Sequence, residues 1–119
     1  MDIILCGGGD IGSAAAETLT LAGESVTLID PDERRIKFLR ENLDISTIEG
    51  SASSASVLLS ANVANADAVI ATTDIDEVNL VICDIAASLG AARTMARIDH
   101  SMFFQDEQLD YASVFSVDR

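Results

Sequence analysis

The chain has 119 residues, 49% hydrophobic and 4% aromatic, which is enough for a single domain (1–119) whose core needs neither disulfide nor metal. Lysine and arginine number 7 against 20 acidic residues, so the formal net charge is −13. This charge repels the phosphates of nucleic acids and of anionic membranes, so we expect neither as a direct partner. The abundance of Ala, Val, Leu and Ile suits strands that are buried on both faces, which predicts an α/β fold.

Sequence signals of other protein classes are missing. Cys6 and Cys83 have no C-x-x-C or Cys/His metal spacing, so we predict small buried residues in a reducing compartment. No apolar run approaches the roughly 18 residues that span a bilayer. The N-terminal sequence also lacks the basic start and apolar core of a signal peptide. We therefore expect a cytoplasmic protein that does not insert into the membrane.

A glycine-rich turn follows the first predicted strand. Gly7, Gly9 and Gly12 have the G-x-G-x-x-G spacing of dinucleotide-binding turns. The first glycine allows the tight turn, the second lets a pyrophosphate approach the backbone, and the third lets helix and strand pack closely. The helix that begins near Asp10 then points unpaired N–H groups and the positive end of its dipole at the phosphates. The predicted binding residues of this turn are Gly7, Gly9, Asp10, Ile11 and Gly12.

The second predicted strand, residues 25–29, ends in Asp30. This acid lies about 20 residues after the glycines, as the dinucleotide fingerprint requires. A carboxylate at that place accepts hydrogen bonds from both ribose hydroxyls of an adenosine and repels a 2′-phosphate. The alternative interpretation is that the glycines serve only the close packing of helix against strand.

The helix predicted after Asp30 carries most of the basic residues of the chain. We expect Lys37 and Arg40 to belong to an ordinary solvated face. Arg34 and Arg35 lie in the first turn, near the place of an adenosine ribose and its phosphate. At least one of them is a candidate to pair with the ligand, and Arg35 is included in the predicted site.

Three further strands are predicted at residues 45–48, 68–71 and 94–98. The loops at their carboxyl ends lie at the edge where open α/β sheets bind ligands. Small residues form the first loop, 49–53, whereas Thr72 and Thr73 begin the second. Arg97 lies near the carboxyl end of the fifth strand, where a charge faces the ligand crevice.

Asp99 and His100 open a last short predicted helix that contains Phe103 and Phe104, and residues 112–117 are predicted to form a sixth strand. The alternation predicts a Rossmann-like, doubly wound parallel sheet of six strands in the order 3-2-1-4-5-6. The ligand is expected to cross the carboxyl ends of strands one, two and four. The single histidine, His100, is interpreted as a helix-start or surface residue rather than a catalytic one.

Catalytic machinery is missing beside this predicted site. A dehydrogenase holds its substrate and a proton donor or acceptor against the nicotinamide, usually with a second domain. The sequence has no Ser/His/Asp arrangement, no Cys/His metal set and no G-x-x-x-x-G-K-[ST] loop. We predict a nucleotide-binding module without enzymatic activity. The alternative is the cofactor-binding fragment of an NAD-dependent dehydrogenase.

An ordered set of motifs makes the chain similar to a known family. The motifs are Gly7-x-Gly9-x-x-Gly12, Asp30-x-Asp32-x-x-Arg35, Gly50-Ser51-Ala52-Ser53, Thr72-Thr73-Asp74, Asp76-Glu77-x-Asn79 and Ala96-Arg97-Ile98. Together they cover essentially the whole chain, which resembles the N-terminal nucleotide-binding (RCK or KTN) domain of Trk-type regulators of potassium uptake. Asn79 matches a position of the family pattern, but no role for it follows from the sequence.

The resemblance implies a cytoplasmic sensor that binds an adenine nucleotide, either NAD(H) or ATP/ADP. Such domains pair, assemble into a ring and gate a membrane-embedded potassium transporter, which brings them to the inner face of the membrane. By the same resemblance, Asp30 holds the adenosine ribose and the 7–12 turn holds the pyrophosphate. The other implied contacts are Ser51 and Ala52 at the adenine, Thr72 and Thr73 in the middle of the site, and Arg97 near the phosphates.

Two residues depart from the family pattern. Asp10 stands where ATP-binding relatives tend to have a basic residue, and a carboxylate there opposes an additional phosphate, so NAD(H) is favoured over ATP or ADP. Ser51 stands where many relatives carry an acid after Gly50. Full-length proteins of the family continue into a further domain, so we expect this chain to be a domain excised from a longer protein.

Overall fold

The computed structural model describes residues 1–100 and 105–118, and within them five parallel strands form one sheet. The strands are β1 (Asp2–Cys6), β2 (Ser25–Asp30), β3 (Ser46–Glu49), β4 (Ala68–Ala71) and β5 (Thr94–Ala96). Their order across the sheet is β3-β2-β1-β4-β5, so the direction of strand addition reverses between β1 and β4. This arrangement confirms the predicted α/β Rossmann-like fold and the order of its first five strands.

Helices cover both faces of the sheet. They are α1 (Asp10–Leu21), α2 (Glu33–Asn42), α3 (Ala55–Ser60) and α4 (Asp76–Ser88), with a 3-10 turn at Val63–Asn65 and a last helical turn at Tyr111–Val114. The side chain of Asp32 begins α2 because it accepts hydrogen bonds from the N–H groups of Arg34 and Arg35. Ser54 begins α3 in the same way, through the N–H of Val57.

The central strand β1 is apolar and buried from Ile3 to Cys6 because helices cover both of its faces. Ile3 and Leu5 belong to a core cluster shared with α1 and α2, while Ile4 and Cys6 belong to a second cluster shared with α3 and α4. This assignment follows the two-residue alternation of a strand. Cys6 and Cys83 are both fully buried, as predicted.

The register of the strands brings their carboxyl ends to one edge of the sheet. Cys6 of β1 lies opposite Ile29 of β2 on one side and Ala71 of β4 on the other. The residues that follow these positions, Asp30 and Thr72 among them, therefore meet around the glycine turn. The fold thus creates a crevice where the strand order reverses.

The prediction of a sixth strand at residues 112–117 is wrong. Residues Tyr111–Val114 form a helical turn, and Ser116 has a φ of 56°, a left-handed conformation that interrupts an extended chain. The alternation of apolar residues in so short a run fits one helical turn as well as a strand. Among residues 105–118, no strand is added to the edge of the sheet beside β5.

The last described residues nevertheless contact β5. The backbone N–H of Thr94 donates to the carboxylate of Asp118 at 2.7 Å, and the N–H of Asp118 donates to the Thr94 carbonyl at 3.0 Å. The helix predicted to open at Asp99 and His100, with Phe103 and Phe104, continues into residues 101–104, which lie outside the described residues. Within the described part, no helix is both long and apolar enough to cross a membrane.

Candidate functional site

A cavity of about 300 Å³ opens where the strand order reverses. Its lining includes these predicted binding residues: Gly7, Gly9, Asp30, Arg35, Ser51, Ala52, Thr72 and Thr73. The apolar part of the lining consists of Ile29, Pro31, Ile75, Val78 and Ile82. Small-molecule sites typically combine such an apolar wall with a few fixed polar groups.

A second, larger cavity of about 600 Å³ lies elsewhere, against Leu80, Ala96 and Ile98. Its polar lining is acidic and includes Asp106, Glu107, Asp110 and Asp118. The smaller cavity also has carboxylates, but Arg35 and the N-terminus of α1 at Gly9 lie beside them. It therefore fits a pyrophosphate better than the larger cavity, whose charged lining is entirely acidic.

The glycine turn is held by close backbone contacts. Gly7 has a φ of 112°, a left-handed conformation that side chains rarely adopt, and a Cβ there would lie 3.1 Å from the Thr72 backbone. At Gly12, a Cβ would lie only 1.8 Å from the Gly7 carbonyl oxygen. These two glycines therefore let strand and helix approach each other, as the packing interpretation expected.

Gly9 differs from the other two glycines of the motif. A Cβ at this position would meet no described atom within 4 Å, so close packing does not require a glycine here. Gly9 also precedes the first turn of α1, and among the described residues no side chain caps that helix. The first backbone N–H groups of α1 thus lack a side-chain cap next to Gly9, which lines the cavity, and a helix N-terminus of this kind suits an anion.

Asp30 is the buried acid of the site, with 3% of its surface exposed. One carboxylate oxygen, Oδ2, accepts the backbone N–H of Gly8 at 2.7 Å, and the other, Oδ1, accepts that of Asp32 at 2.8 Å. The guanidinium of Arg35 lies 3.6 Å from Oδ2. The carboxylate is thus fixed at the end of β2 with its negative charge supported by two backbone dipoles and one cation.

The loop after β3 forms another wall of the cavity. It is tied to β2 because the Gly50 N–H donates to the Asp30 carbonyl at 3.0 Å. Ala52 is buried against the core, whereas the hydroxyl groups of Ser51 and Ser53 are exposed and hydrogen-bonded to each other at 2.8 Å. The loop presents a small apolar side chain between two hydroxyl groups.

Thr72 and Thr73 line the cavity at the end of β4. The Thr72 hydroxyl donates to the carbonyl oxygens of Cys6 and Gly7, each at 3.2 Å, and so joins β4 to the glycine turn. The Thr73 hydroxyl donates to Oδ1 of Asn79 at 2.6 Å. Asn79 itself is fully buried in α4 and does not line the cavity.

A second buried acid, Asp76, lies in the first turn of α4. It accepts the backbone N–H groups of Asp99 at 3.0 Å and of His100 at 2.9 Å, together with Nδ1 of the His100 ring at 2.5 Å. The hydrogen bond and the charge of Asp76 raise the pKa of His100. Desolvation acts to raise the pKa of Asp76, but the hydrogen bonds from Asp99 and His100 outweigh it and lower that pKa.

Four predicted binding residues do not line the cavity. Asp10 and Ile11 are exposed in the first turn of α1, and Gly12 serves packing. Arg97 lies beside the cavity rather than in it, because its guanidinium is 3.7 Å from Asp74 and 3.0 Å from Asp99. Of these partners, Asp74 does line the cavity.

The sequence matches a family model described as the TrkA-N domain over residues 3–114. The chain belongs to the TrkA-N family. The Trk system potassium uptake protein TrkA of Haemophilus influenzae is 35% identical over 108 residues, which are 90% of this chain and 24% of that protein. The chain spans 20–25% of the length of four such bacterial proteins that it matches.

Solved structures share the TrkA-N fold. The TrkA-N domain of the inner membrane protein ybaL from Escherichia coli superimposes with a TM-score of 0.84 at 20% identity, covering 98% of this chain and 83% of that one. The GsuK channel bound to NAD gives a TM-score of 0.72 at 23% identity, covering 80% of this chain and 17% of that one. At these identities the likeness concerns the fold.

Two structural roles in this TrkA-N domain were missed by sequence reasoning. Asn79, which occupies a position of the family motif, bonds to Arg97, 18 residues later in the sequence. Asp76 bonds to His100, 24 residues later. The only local signal was polarity: Asp76 and Asn79 interrupt the apolar face of α4, and a buried polar side chain needs partners.

Proposed function

We propose that this TrkA-N domain binds NAD(H) in the 300 Å³ cavity. The observation that carries the proposal is the placement of Asp30, a buried carboxylate that lines the cavity and is held by two backbone N–H groups. Each carboxylate oxygen can accept two hydrogen bonds. Both oxygens therefore retain an acceptor position for the hydroxyl groups of an adenosine ribose.

The remaining contacts of the nucleotide are proposed from the same geometry. The pyrophosphate lies over Gly9 and the uncapped first turn of α1, where Asp10, Ile11 and Gly12 supply backbone N–H groups. Ser51 and Ala52 flank the adenine, and the Thr72 and Thr73 pair lies against the middle of the ligand. Arg35 adds a cation beside the ribose.

The charge around the cavity supports a dinucleotide rather than ATP or ADP. Asp32 and Asp74 line the cavity along with Asp30, and Asp10 is exposed at the first turn of α1. A terminal phosphate carries more negative charge than the internal pyrophosphate of NAD(H), so these carboxylates disfavour it more strongly.

We further propose that the domain is a sensor within a longer potassium transport regulator, rather than an enzyme. The names of the TrkA relatives support this role, as does the TrkA-N match over residues 3–114. In this role, the domain pairs with copies of itself in a ring at the cytoplasmic face of the membrane. Its nucleotide state then gates a membrane-embedded potassium transporter.

Nucleotide-dependent stability tests the binding proposal. With NADH at about 100 times its dissociation constant, the free energy of unfolding rises by about 2.7 kcal/mol, because only the folded state binds. Denaturation of the 119-residue chain with and without NADH measures this rise. The absence of any stabilisation by NADH or NAD⁺ would contradict the proposal. Light scattering after size-exclusion chromatography tests self-association, and a monomer at every concentration would contradict the proposed ring.

A further inference from the structure

The first turn of α4 carries two buried polar side chains that act on different parts of the chain. Asp76 is 2% exposed and Asn79 is fully buried. Three residues apart on a helix, they lie on the same side, above the carboxyl ends of β4 and β5. A buried polar side chain that loses its hydrogen bonds destabilises the fold, so these bonds hold both side chains in one position.

Asn79 bridges the cavity wall to the chain leaving β5. Its Oδ1 accepts both the N–H of Thr73 at 2.9 Å and the Thr73 hydroxyl at 2.6 Å. Its Nδ2 donates to the carbonyl of Thr73 at 3.1 Å and to that of Arg97 at 2.8 Å. One amide therefore fixes the backbone and hydroxyl of a cavity-lining residue and, at the same time, the end of the fifth strand.

Asp76 extends this bridge along the segment 97–100. Its carboxylate accepts the backbone N–H groups of Asp99 and His100 and the ring Nδ1 of His100. The segment is thus fastened to the first turn of α4 at three of its four residues, by Asn79 at Arg97 and by Asp76 at Asp99 and His100.

We propose that Asn79 is a positioning residue that couples nucleotide occupancy of the cavity to the docking of residues 97–100 on α4. The inference rests on the proposed NAD(H) binding and adds a route by which that binding changes the chain beyond the sheet. A ligand that fixes Thr73 fixes the Asn79 amide, and this amide in turn holds the Arg97 carbonyl. Bound NADH therefore makes undocking of residues 97–100 rarer.

Thermodynamic linkage makes the coupling measurable from both ends. If NADH slows amide hydrogen exchange at Asp99 and His100 by a factor of about five or more, release of these residues weakens NADH binding by the same factor. The Asp76→Asn variant replaces Oδ2, which accepts both hydrogen bonds of His100, by an amide donor, and so releases His100 without altering the cavity lining. Glu77→Gln, an exposed neighbour on the same helix turn, is the matched control because it also removes one negative charge.

The expected result is a fall in NADH affinity for Asp76→Asn equal to the exchange factor of the wild type, with no such fall for Glu77→Gln. In the Asn79→Ala variant, NADH no longer slows exchange at Asp99 and His100. If Asn79→Ala does not fold, the larger apolar substitution Asn79→Leu replaces it. Leucine occupies the place of the amide but makes none of its hydrogen bonds to Thr73 and Arg97, so NADH does not slow exchange at Asp99 and His100 in this variant either.

Three outcomes contradict the coupling. Asp76→Asn binding NADH as tightly as the wild type overturns it, as does NADH-dependent slowing that persists in Asn79→Ala or Asn79→Leu. If the role of Asn79 is purely structural, Asn79→Ala lowers the stability of the fold but leaves the NADH affinity and the NADH-dependent slowing of exchange unchanged. A wild-type chain that binds no NADH overturns the coupling together with the proposed function, so the two failures are distinguished by the wild-type titration alone.

Discussion

The backbone nitrogen of Gly8 lies 2.7 Å from Oδ2 of Asp30 and donates a hydrogen bond to it, so the last residue of β2 fixes the glycine turn. The residue that we propose to bind ribose is therefore also the residue that fixes the turn proposed to bind pyrophosphate. Because both parts of the site depend on one carboxylate, a change at Asp30 affects ligand contacts and turn geometry together.

The Asp30→Ala substitution is expected to weaken NADH binding by at least tenfold. A hydrogen bond to a charged group contributes about 1.5–3 kcal/mol, and about 1.4 kcal/mol corresponds to a factor of ten. The buried N–H of Gly8 also loses its partner, so stability falls and the titration is made at a temperature where the variant is folded. Asp44→Ala, which removes an exposed acid outside the cavity lining, is the control. Equal NADH affinities of Asp30→Ala and wild type would remove Asp30 from the site.

Two glycines of the motif are expected to respond differently to alanine. Gly12→Ala places a Cβ 1.8 Å from the Gly7 carbonyl oxygen, and such overpacking costs about 1–3 kcal/mol or more. Gly9→Ala meets no described atom within 4 Å and changes the free energy of unfolding by less than about 0.5 kcal/mol. Its methyl group occupies the path of the pyrophosphate and weakens NADH binding. Urea denaturation and NADH titration of both variants check this contrast, and a Gly9→Ala variant with wild-type affinity would contradict it.

The pair of Asp76 and His100 predicts a pH-dependent contribution to stability. The pKa of His100 is raised from its usual 6.5, so its charged form stabilises the fold fully below about pH 6.5 and less as the pH rises through the folded-state pKa. The pKa of Asp76 is lowered from 3.8, so its contribution is present above that pH and is lost as the pH falls through the folded-state pKa.

Denaturation of the wild type and of His100→Gln at several pH values measures the effect. The stability difference between the two proteins is expected to be largest in mildly acidic solution and to shrink as the pH rises. A difference that stays constant from about pH 6 to pH 9 would show that the ring charge contributes nothing.

The first turn of α1 offers a test of nucleotide choice. Asp10→Lys replaces an exposed carboxylate by a cation beside the proposed phosphate position, and we expect ATP affinity to rise relative to NADH affinity. A charge at a helix N-terminus contributes about 0.3–1 kcal/mol, which gives roughly a two- to fivefold change at low salt. Glu17→Lys, an exposed acid further along α1, controls for net charge. An unchanged ATP to NADH ratio in Asp10→Lys would contradict the role of Asp10.

Most of the sheet could be predicted because each strand has a local signature. β1 is a short apolar run before glycines, and β2 ends in the acid Asp30, so periodicity and turn residues place them. The strand order 3-2-1-4-5 then follows from the doubly wound pattern with right-handed crossovers. The prediction of a strand at residues 112–117 failed because the helical turn there ends in a positive φ at Ser116. A serine in the sequence does not indicate that conformation.

Long-range hydrogen bonds explain what the sequence did not reveal in the site. Asn79 contacts Arg97 across 18 residues, and Asp76 contacts His100 across 24 residues. The prediction that His100 is a surface residue agrees with its exposure, but it did not foresee the hydrogen bond to the buried Asp76. The family resemblance implied that Arg97 lies near the phosphates. Its guanidinium instead pairs with Asp99 and with Asp74, an acid of the cavity lining that only the folded chain brings close to it.

Calorimetric titration of the 119-residue chain with NADH, compared with NAD⁺, ATP and ADP, tests the central proposal most directly. We predict saturable binding of NAD(H) at one site per chain, tighter than that of ATP or ADP and reduced at least tenfold in Asp30→Ala. No heat of binding with NADH or NAD⁺, or binding that Asp30→Ala leaves unchanged, would contradict the assignment of this cavity as a dinucleotide site.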